Sequence, residues 1–220
     1  EILFSDFTYK SIKKELFSVK NIIFLFIFSF FNWFLEIKKW SILVSYIQNI
    51  SFKEAIKQSL SSLTASLITP NRIGEYGAKA IYFEKHQRKQ ILGLNLVGNL
   101  FQLLATIIFG LIGLFFFVSN FEIVIPIKST FAIIGIGLIA VLFCWLVFKN
   151  GFSIKGYSLK SLVNFTTKLP RLLHLKTGLL SALRYIVFSH QFYFLLVIFN
   201  VEISYSEAIF AIFTMYFLAS

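Results

Sequence analysis

The sequence has few charged residues and almost no cysteine. Asp, Glu, Lys and Arg make up only 14% of the 220 residues, whereas about a quarter of a soluble domain is charged. This shortage excludes an ordinary soluble domain. The single cysteine, Cys144, excludes a disulfide framework and a cysteine metal site, because both need several thiols.

The motifs of common enzyme sites are also missing from the sequence. It contains no nucleophile elbow, no Gly-rich phosphate loop and no His-Glu-x-x-His zinc helix. The three histidines, His86, His174 and His190, lack the spacing of metal ligands. We therefore predict no metal, no cofactor and no catalytic residue, and we favour a transporter over an enzyme.

Apolar and aromatic residues are abundant instead. Hydrophobic residues make up 57% of the chain, phenylalanine occurs 29 times, and the mean hydropathy is +0.79. Lipid is the natural solvent for helices with such faces. The composition predicts an all-α integral membrane protein in which residues 1–220 form a single transmembrane domain.

The lengths of the apolar runs predict a polytopic helical bundle. A spanning helix needs about 20 mostly apolar residues, and four runs are long enough, at about 21–47, 91–118, 130–148 and 178–199. Two shorter runs, 58–68 and 73–83, flank the sequence TPNRIGE (69–75). Joined, they have the length of one crossing, so we predict a broken or re-entrant helix pair, with one broken spanning helix as the preferred form.

Basic residues concentrate in three segments, 1–20, 84–90 and 149–176. Basic segments stay on the cytoplasmic side, so we predict all three inside, with 58–83 crossing the membrane to make this possible. The net charge of +11 then predicts contact with anionic inner-leaflet headgroups of a multi-pass inner (cytoplasmic) membrane protein. Nucleic acid is not expected as a partner, because no soluble basic domain is present.

One short sequence occurs twice. ISFKEAI (50–56) and ISYSEAI (203–209) agree at five of seven positions, and an apolar span precedes each copy. Four predicted crossings separate them, which predicts a parallel repeat, with repeat A at about 21–150 and repeat B starting at about 178–220. A chance match is the alternative.

The chain is expected to be a piece of a longer protein, truncated at both ends, and its oligomeric state is open.

The TPNRIGE sequence provides the first candidate site residues. Pro70 and Gly74 break a helix, which leaves Arg72 and Glu75 at the ends of two half-helices. Charges at membrane depth are costly and usually face a partner or a pathway. We predict that Arg72 binds a lipid phosphate and that Glu75 binds an amine headgroup or Arg72. The alternative is an ion pair that only holds the bend.

A polar stripe follows on the 91–118 helix. Asn95, Asn99, Gln102 and Thr106 occupy positions i, i+4, i+7 and i+11, which form one helix face. Such a stripe either lines the same cavity or supplies hydrogen bonds between helices. Asn95, Asn99 and Gln102 are therefore candidate substrate-binding residues.

Three further charges lie inside predicted spans. Glu36 and Lys39, three residues apart, are expected to pair on one helix face and to support the site. Arg184 lies about seven residues into its span, and we expect its side chain to snorkel to the inner headgroups.

The order of these pieces resembles the lysylphosphatidylglycerol synthase transmembrane family, a flippase-like membrane domain. The resemblance depends on Lys39-Trp40, on residues 51–56 and above all on Pro70-Asn71-Arg72-Ile73-Gly74-Glu75. It implies a helical bundle with two re-entrant or broken elements that moves amphiphilic lipids between leaflets. By this likeness the working loop comprises Pro70, Arg72, Gly74 and Glu75.

Departures from the family pattern bear on the substrate. Asn71 stands where the family usually has glycine, and Gly98, Asn99 and Gln102 stand where many members carry charges. These departures argue against a lysyl-lipid. Three hypotheses therefore stay open: a translocase for a phospholipid, aminoacylated lipid or polyprenyl-linked lipid, an intramembrane transferase with Glu75 as general base, or a non-catalytic membrane partner of a soluble enzyme.

Overall fold

A computed structural model describes residues 18–70, 73–120, 153–154 and 157–220. These ranges contain seven helices and one antiparallel hairpin with two residues in each strand, so the predicted all-α class is confirmed. The helices are α1 (Val19–Val44), α2 (Phe52–Ile68), α3 (Ile73–Ile81), α4 (Arg88–Asn120), α5 (Leu159–Lys168), α6 (Arg171–Ile198) and α7 (Tyr205–Ala219). The strands are β1 (Ser153–Ile154) and β2 (Tyr157–Ser158).

Three of these helices are long and apolar enough to cross a membrane. They are α1, α4 over Arg88–Phe116, and α6, which confirms three of the four predicted long spans. The fourth, 130–148, lies outside the described residues. Large apolar side chains point outward from the bundle; Phe26 in α1, for example, is 71% exposed. Such a surface suits lipid and would be costly in water.

Helices α1 and α6 run antiparallel along one another. The rings of Phe24 and Phe194 lie 5.4 Å apart, and Gln191 Nε2 donates a hydrogen bond of 2.9 Å to Ser29 Oγ. The start of α1 therefore meets the end of α6. Helix α7 packs against α4, where the rings of Phe116 and Phe210 stack at 4.1 Å.

One end of the bundle is formed by residues 45–57, 82–92 and 164–176, and we call it the basic end. Phe165, in the third segment, brings these segments together. Its ring contacts the Tyr46 ring of the first segment at 6.3 Å, and it closely approaches Gly93, the residue after the second segment. Lys20 lies in the first turn of α1, at the opposite end. The prediction that all three basic segments share one side is therefore wrong for Lys20, and the other lysines of segment 1–20 lie outside the described residues.

Helices α2 and α3 fold back on one another as an antiparallel pair, the α2–α3 hairpin. Ser61 Oγ lies 2.7 Å from Tyr82 Oη, and Ser62 Oγ donates to the Glu75 carbonyl oxygen at 3.3 Å. In half-helices laid end to end, Ser61 and Tyr82 would be about 30 Å apart. The prediction of one broken spanning helix is therefore wrong: α2 starts at the basic end, and α3 returns to it.

The two copies of the repeated heptapeptide have the same local structure. Ser51 and Ser204 are the N-caps of α2 and α7, each in a capping box with the glutamate three residues later. The Ser51 amide and hydroxyl donate to the Glu54 carboxylate, which lowers the pKa of Glu54. Helix α2, however, starts at the basic end and α7 at the opposite end.

The predicted parallel arrangement of these copies is therefore wrong. The count of four crossings included 58–83, and this segment returns to the end from which it starts. Because α1 and α6 are antiparallel, the segments α1–α2 and α6–α7 point in opposite directions along the bundle.

The apolar core has two parts. The first lies near the basic end and includes Trp40, Leu43, Ile91 and Leu94, each no more than 1% exposed. The second surrounds Tyr185, whose ring stacks on Phe109 and contacts Phe213. Glu36 and Lys39 of α1 and Arg184 of α6 belong to the candidate site.

Candidate functional site

A cavity of about 340 Å³ lies among α1, α2, α3, α4 and α6, and we call it the polar cavity. Its polar and charged lining consists of Glu36, Ser59, Ser62, Glu75, Tyr76, Lys79, Asn99, Gln102, Thr106 and Arg184. Glu36 and Gln102 lie about 12 and 21 Å along their helices from the basic end. Because the hydrocarbon core of a bilayer is about 30 Å thick, helices that cross a membrane would place both side chains within its hydrocarbon core.

Glu36 is held by two cations. Its carboxylate accepts from Lys39 Nζ at 2.7 Å and from Arg184 Nη1 at 2.8 Å. The predicted Glu36–Lys39 pair is thereby confirmed. The prediction that Arg184 snorkels is wrong, because its Nε also donates to Asn32 Oδ1 at 2.8 Å and its partners hold it at the depth of the cavity.

Lys79 is a site residue that the sequence reasoning missed. Its Nζ donates to Asn95 Oδ1 at 2.7 Å, lies 3.6 Å from the Glu75 carboxylate and is 4.5 Å from the centre of the Trp40 ring. Only 3% of Lys79 is exposed. The spacing of four residues between Glu75 and Lys79 is the sequence signal that indicates such a pair.

The polar stripe of α4 has two different surroundings. Asn99 and Gln102 line the polar cavity; Asn99 Nδ2 donates to Tyr76 Oη at 3.0 Å, and Gln102 Oε1 accepts from Arg184 at 3.5 Å. Asn95 is 2% exposed and holds Lys79 instead. Of the two predicted alternatives, Asn99 and Gln102 line the cavity, whereas Asn95 forms a hydrogen bond between helices.

A contact between Thr69 and Gly74 joins α2 and α3 at the closed end of the α2–α3 hairpin. Thr69 Oγ1 donates to the Ala65 carbonyl and accepts from the Gly74 amide, each at 2.8 Å. A Cβ atom on Gly74 would lie 2.5 Å from the Ala65 carbonyl oxygen, so this close approach requires glycine. Pro70 is exposed beside this contact, while Arg72 lies outside the described residues. Substrate binding by Pro70, Arg72, Gly74 and Glu75 stays a prediction.

A second cavity of about 250 Å³ adjoins the polar cavity and is bounded by α1, α4, α6 and α7. The two cavities share Gln102, Thr106 and Arg184. The second cavity adds the aromatic residues Tyr185 and Tyr216. The three shared residues therefore form the junction between the polar cavity and a second, more apolar cavity.

The electrostatics of the cavities suit a charged organic group better than a metal. Within the described ranges, no group of three His, Cys, Asp or Glu residues lies close enough to hold a metal ion. Arginine, lysine, amide and hydroxyl groups are donors for phosphate and carboxylate oxygens.

Comparison with known proteins agrees with the resemblance noted in the sequence. A family model described as "Lysylphosphatidylglycerol synthase TM region" matches residues 2–220. Neither the curated proteins nor the solved structures contain a match to this chain. The match covers α1 to α7 and all residues of both cavities.

Proposed function

Because this chain belongs to the lysylphosphatidylglycerol synthase transmembrane family, we propose that it binds an amphiphilic lipid and moves it between leaflets through the polar cavity. The observation that supports this most is the cavity itself, lined by Glu36, Glu75, Lys79 and Arg184 on a bundle with an apolar exterior. A phospholipid, an aminoacylated lipid or a polyprenyl-linked lipid has the required polar and apolar parts.

A polar cavity at this depth lowers the main barrier to lipid movement. Removing a charged headgroup from water without new hydrogen bonds costs many kcal/mol. Amide, hydroxyl and guanidinium groups replace water in a lined cavity, while the hydrocarbon chains stay in the bilayer. Such intramembrane charges mark pathways in membrane proteins.

The charge of the basic end supports a placement in the membrane. Its exposed cations outnumber the exposed acids Glu54 and Glu84, which favours a cytoplasmic position at the inner membrane. Each cation adds about 1 kcal/mol of attraction to anionic headgroups near the surface. These cations are Lys53, Lys57, Lys85, Lys89, Lys168, Arg171 and Lys176. In this placement the α2–α3 hairpin is a re-entrant element that enters from the cytoplasmic side.

The measurement that tests this proposal is lipid movement between leaflets in liposomes that contain the full-length protein. Labelled phosphatidylglycerol, phosphatidylethanolamine, aminoacylated and polyprenyl-linked lipids are tested side by side. We expect movement of at least one class, and about a tenfold or larger loss in Glu75→Gln and Arg72→Ala, because a hydrogen bond to a charged group is worth about 1.5–3 kcal/mol. Glu84→Gln is the matched control, since the Glu84 side chain is 78% exposed.

Two outcomes would contradict the proposal. Absence of movement for every lipid class would leave the transferase with Glu75 as base, or the non-catalytic partner of a soluble enzyme. Unchanged movement in both Glu75→Gln and Arg72→Ala would show that lipids cross elsewhere. Equal reconstitution and equal thermal unfolding of all variants are required for either comparison.

A further inference from the structure

The charged residues around the polar cavity do not balance. Lys39, Lys79 and Arg184 supply three positive charges, while Glu36 and Glu75 supply two negative charges, so the described cluster has a net charge of +1. An excess charge at this depth is costly without a counter-ion. The cluster is therefore suited to a ligand with one negative charge.

The excess charge is accessible at Arg184. Lys39 and Lys79 are 2% and 3% exposed and are held by side chains of their own cluster. By contrast, 28% of the Arg184 side chain is exposed, and it lines both cavities. Its Nε and Nη1 bind Asn32 and Glu36, whereas its Nη2 makes no hydrogen bond within the described part of the chain.

We infer that Arg184 binds the phosphodiester of a singly charged anionic lipid at the junction of the two cavities. This inference rests on the proposed function and adds the substrate class to it. Guanidinium and phosphate groups form short, charge-assisted hydrogen bonds. Tyr76 is a second donor in the polar cavity, because its oxygen accepts from Asn99 and its O–H donates to no atom of the described residues.

The net charge of the cluster also predicts an order of binding affinity among lipid headgroups. A phosphodiester with one negative charge, as in phosphatidylglycerol, neutralises the cluster. A zwitterionic headgroup also brings an ammonium group, and the Glu36 and Glu75 carboxylates already have cationic partners. An aminoacylated headgroup with a net positive charge increases the excess, and diacylglycerol has no phosphate. We expect binding to weaken in that order.

The test measures binding to the purified full-length protein in detergent micelles, by the ligand-dependent rise in unfolding temperature. The probes are phosphatidylglycerol, phosphatidylethanolamine, lysylphosphatidylglycerol, diacylglycerol and inorganic phosphate. We expect phosphatidylglycerol to bind about tenfold tighter than phosphatidylethanolamine, a difference of about 1.4 kcal/mol, and the other probes to bind more weakly still. Arg184→Gln is expected to remove this preference, and Arg184→Lys to restore part of it, because lysine keeps the charge without the planar fork.

Matched variants separate binding from folding. Arg171→Gln changes an exposed arginine on the same helix and should leave the preference intact. If Arg184→Gln fails to fold, the double variant Glu36→Gln/Arg184→Gln keeps the net charge of +1 without the guanidinium, and it should also lose the preference.

Three results would overturn the inference: unchanged phosphatidylglycerol binding in the Arg184 variants, equal binding of diacylglycerol, or equal binding of inorganic phosphate, which would show a site for free phosphate. Selective binding without transport would contradict only the proposed translocation. Transport that is independent of Arg184 and of headgroup charge would contradict only this inference.

Discussion

Glu36→Gln is expected to lower the free energy of unfolding by about 3–5 kcal/mol, because removing one partner of a buried ion pair leaves uncompensated charge. The Glu36 carboxylate accepts from both Lys39 and Arg184 within 2.8 Å. Glutamine keeps the shape of the side chain but not its charge, and two cations then face one another. Thermal unfolding of the purified protein in detergent measures the effect.

Two comparisons show whether charge causes this loss. Glu84→Gln removes an acid whose side chain is 78% exposed, and it should leave stability unchanged. Glu36→Gln/Lys39→Gln removes the pair together and should recover part of the loss, since one of the two orphaned cations is gone. A Glu36→Gln protein as stable as the wild type would show that the Glu36–Arg184 ion pair does not hold α1 against α6.

Trp40→Ala is expected to cost about 3–5 kcal/mol, the usual range for truncating a buried tryptophan. Trp40 is 1% exposed, its Nε1 donates to Gln58 Oε1 at 2.8 Å, and Lys79 lies over its ring. The truncation leaves a cavity and removes two polar contacts between α1 and the α2–α3 hairpin. Chemical or thermal unfolding in detergent gives the magnitude.

An aromatic residue on the same helix provides the control for Trp40. Phe26 is 71% exposed on the outer face of α1, so Phe26→Ala removes only contact with lipid or detergent. Trp40→Phe keeps most of the volume and loses the indole hydrogen bond, which predicts a cost of about 1 kcal/mol. If Trp40→Ala were no more harmful than Phe26→Ala, the described packing of α1 on the hairpin would be contradicted.

Run length and helix-breaking residues made part of the fold predictable. The runs that became α1, α4 and α6 have the length and hydropathy of membrane-spanning helices. Pro70 and Gly74 correctly marked a break between two helical segments, because proline lacks a backbone N–H donor and glycine is a poor helix former.

The path of the chain after that break was not predictable from length. The 26 residues at 58–83 suit either one crossing or two short arms that pair with one another. The choice depends on contacts such as Ser61 with Tyr82, which no local pattern contains. The basic segments then favoured the wrong alternative, since placing Lys20 beside the segment 84–90 required a crossing. The orientation of the repeated heptapeptide was wrong for the same reason.

The candidate site was predictable in part. Glu36 and Lys39 were identified from their spacing, and Asn99 and Gln102 from their shared helix face. Arg184 was predicted to reach the membrane surface because it lies only about seven residues into its apolar run. This distance indicates the depth of a residue but not the side chains that it contacts. Glu36 is 148 residues away in sequence, so only the antiparallel packing of α1 and α6 brings them together.

The most direct test of a polar lipid path is whether water reaches the junction of the two cavities in the membrane. Thr106 lines both cavities, whereas Leu104, two residues away on the same helix, is 48% exposed outside them. Thr106→Cys and Leu104→Cys are compared in a Cys144→Ala background, by labelling with a membrane-impermeant thiol reagent in liposomes. A thiol reacts as the thiolate, and apolar surroundings suppress ionisation. We expect rapid labelling at position 106 and little labelling at position 104. Equal or reversed labelling would contradict a polar lipid path through this bundle.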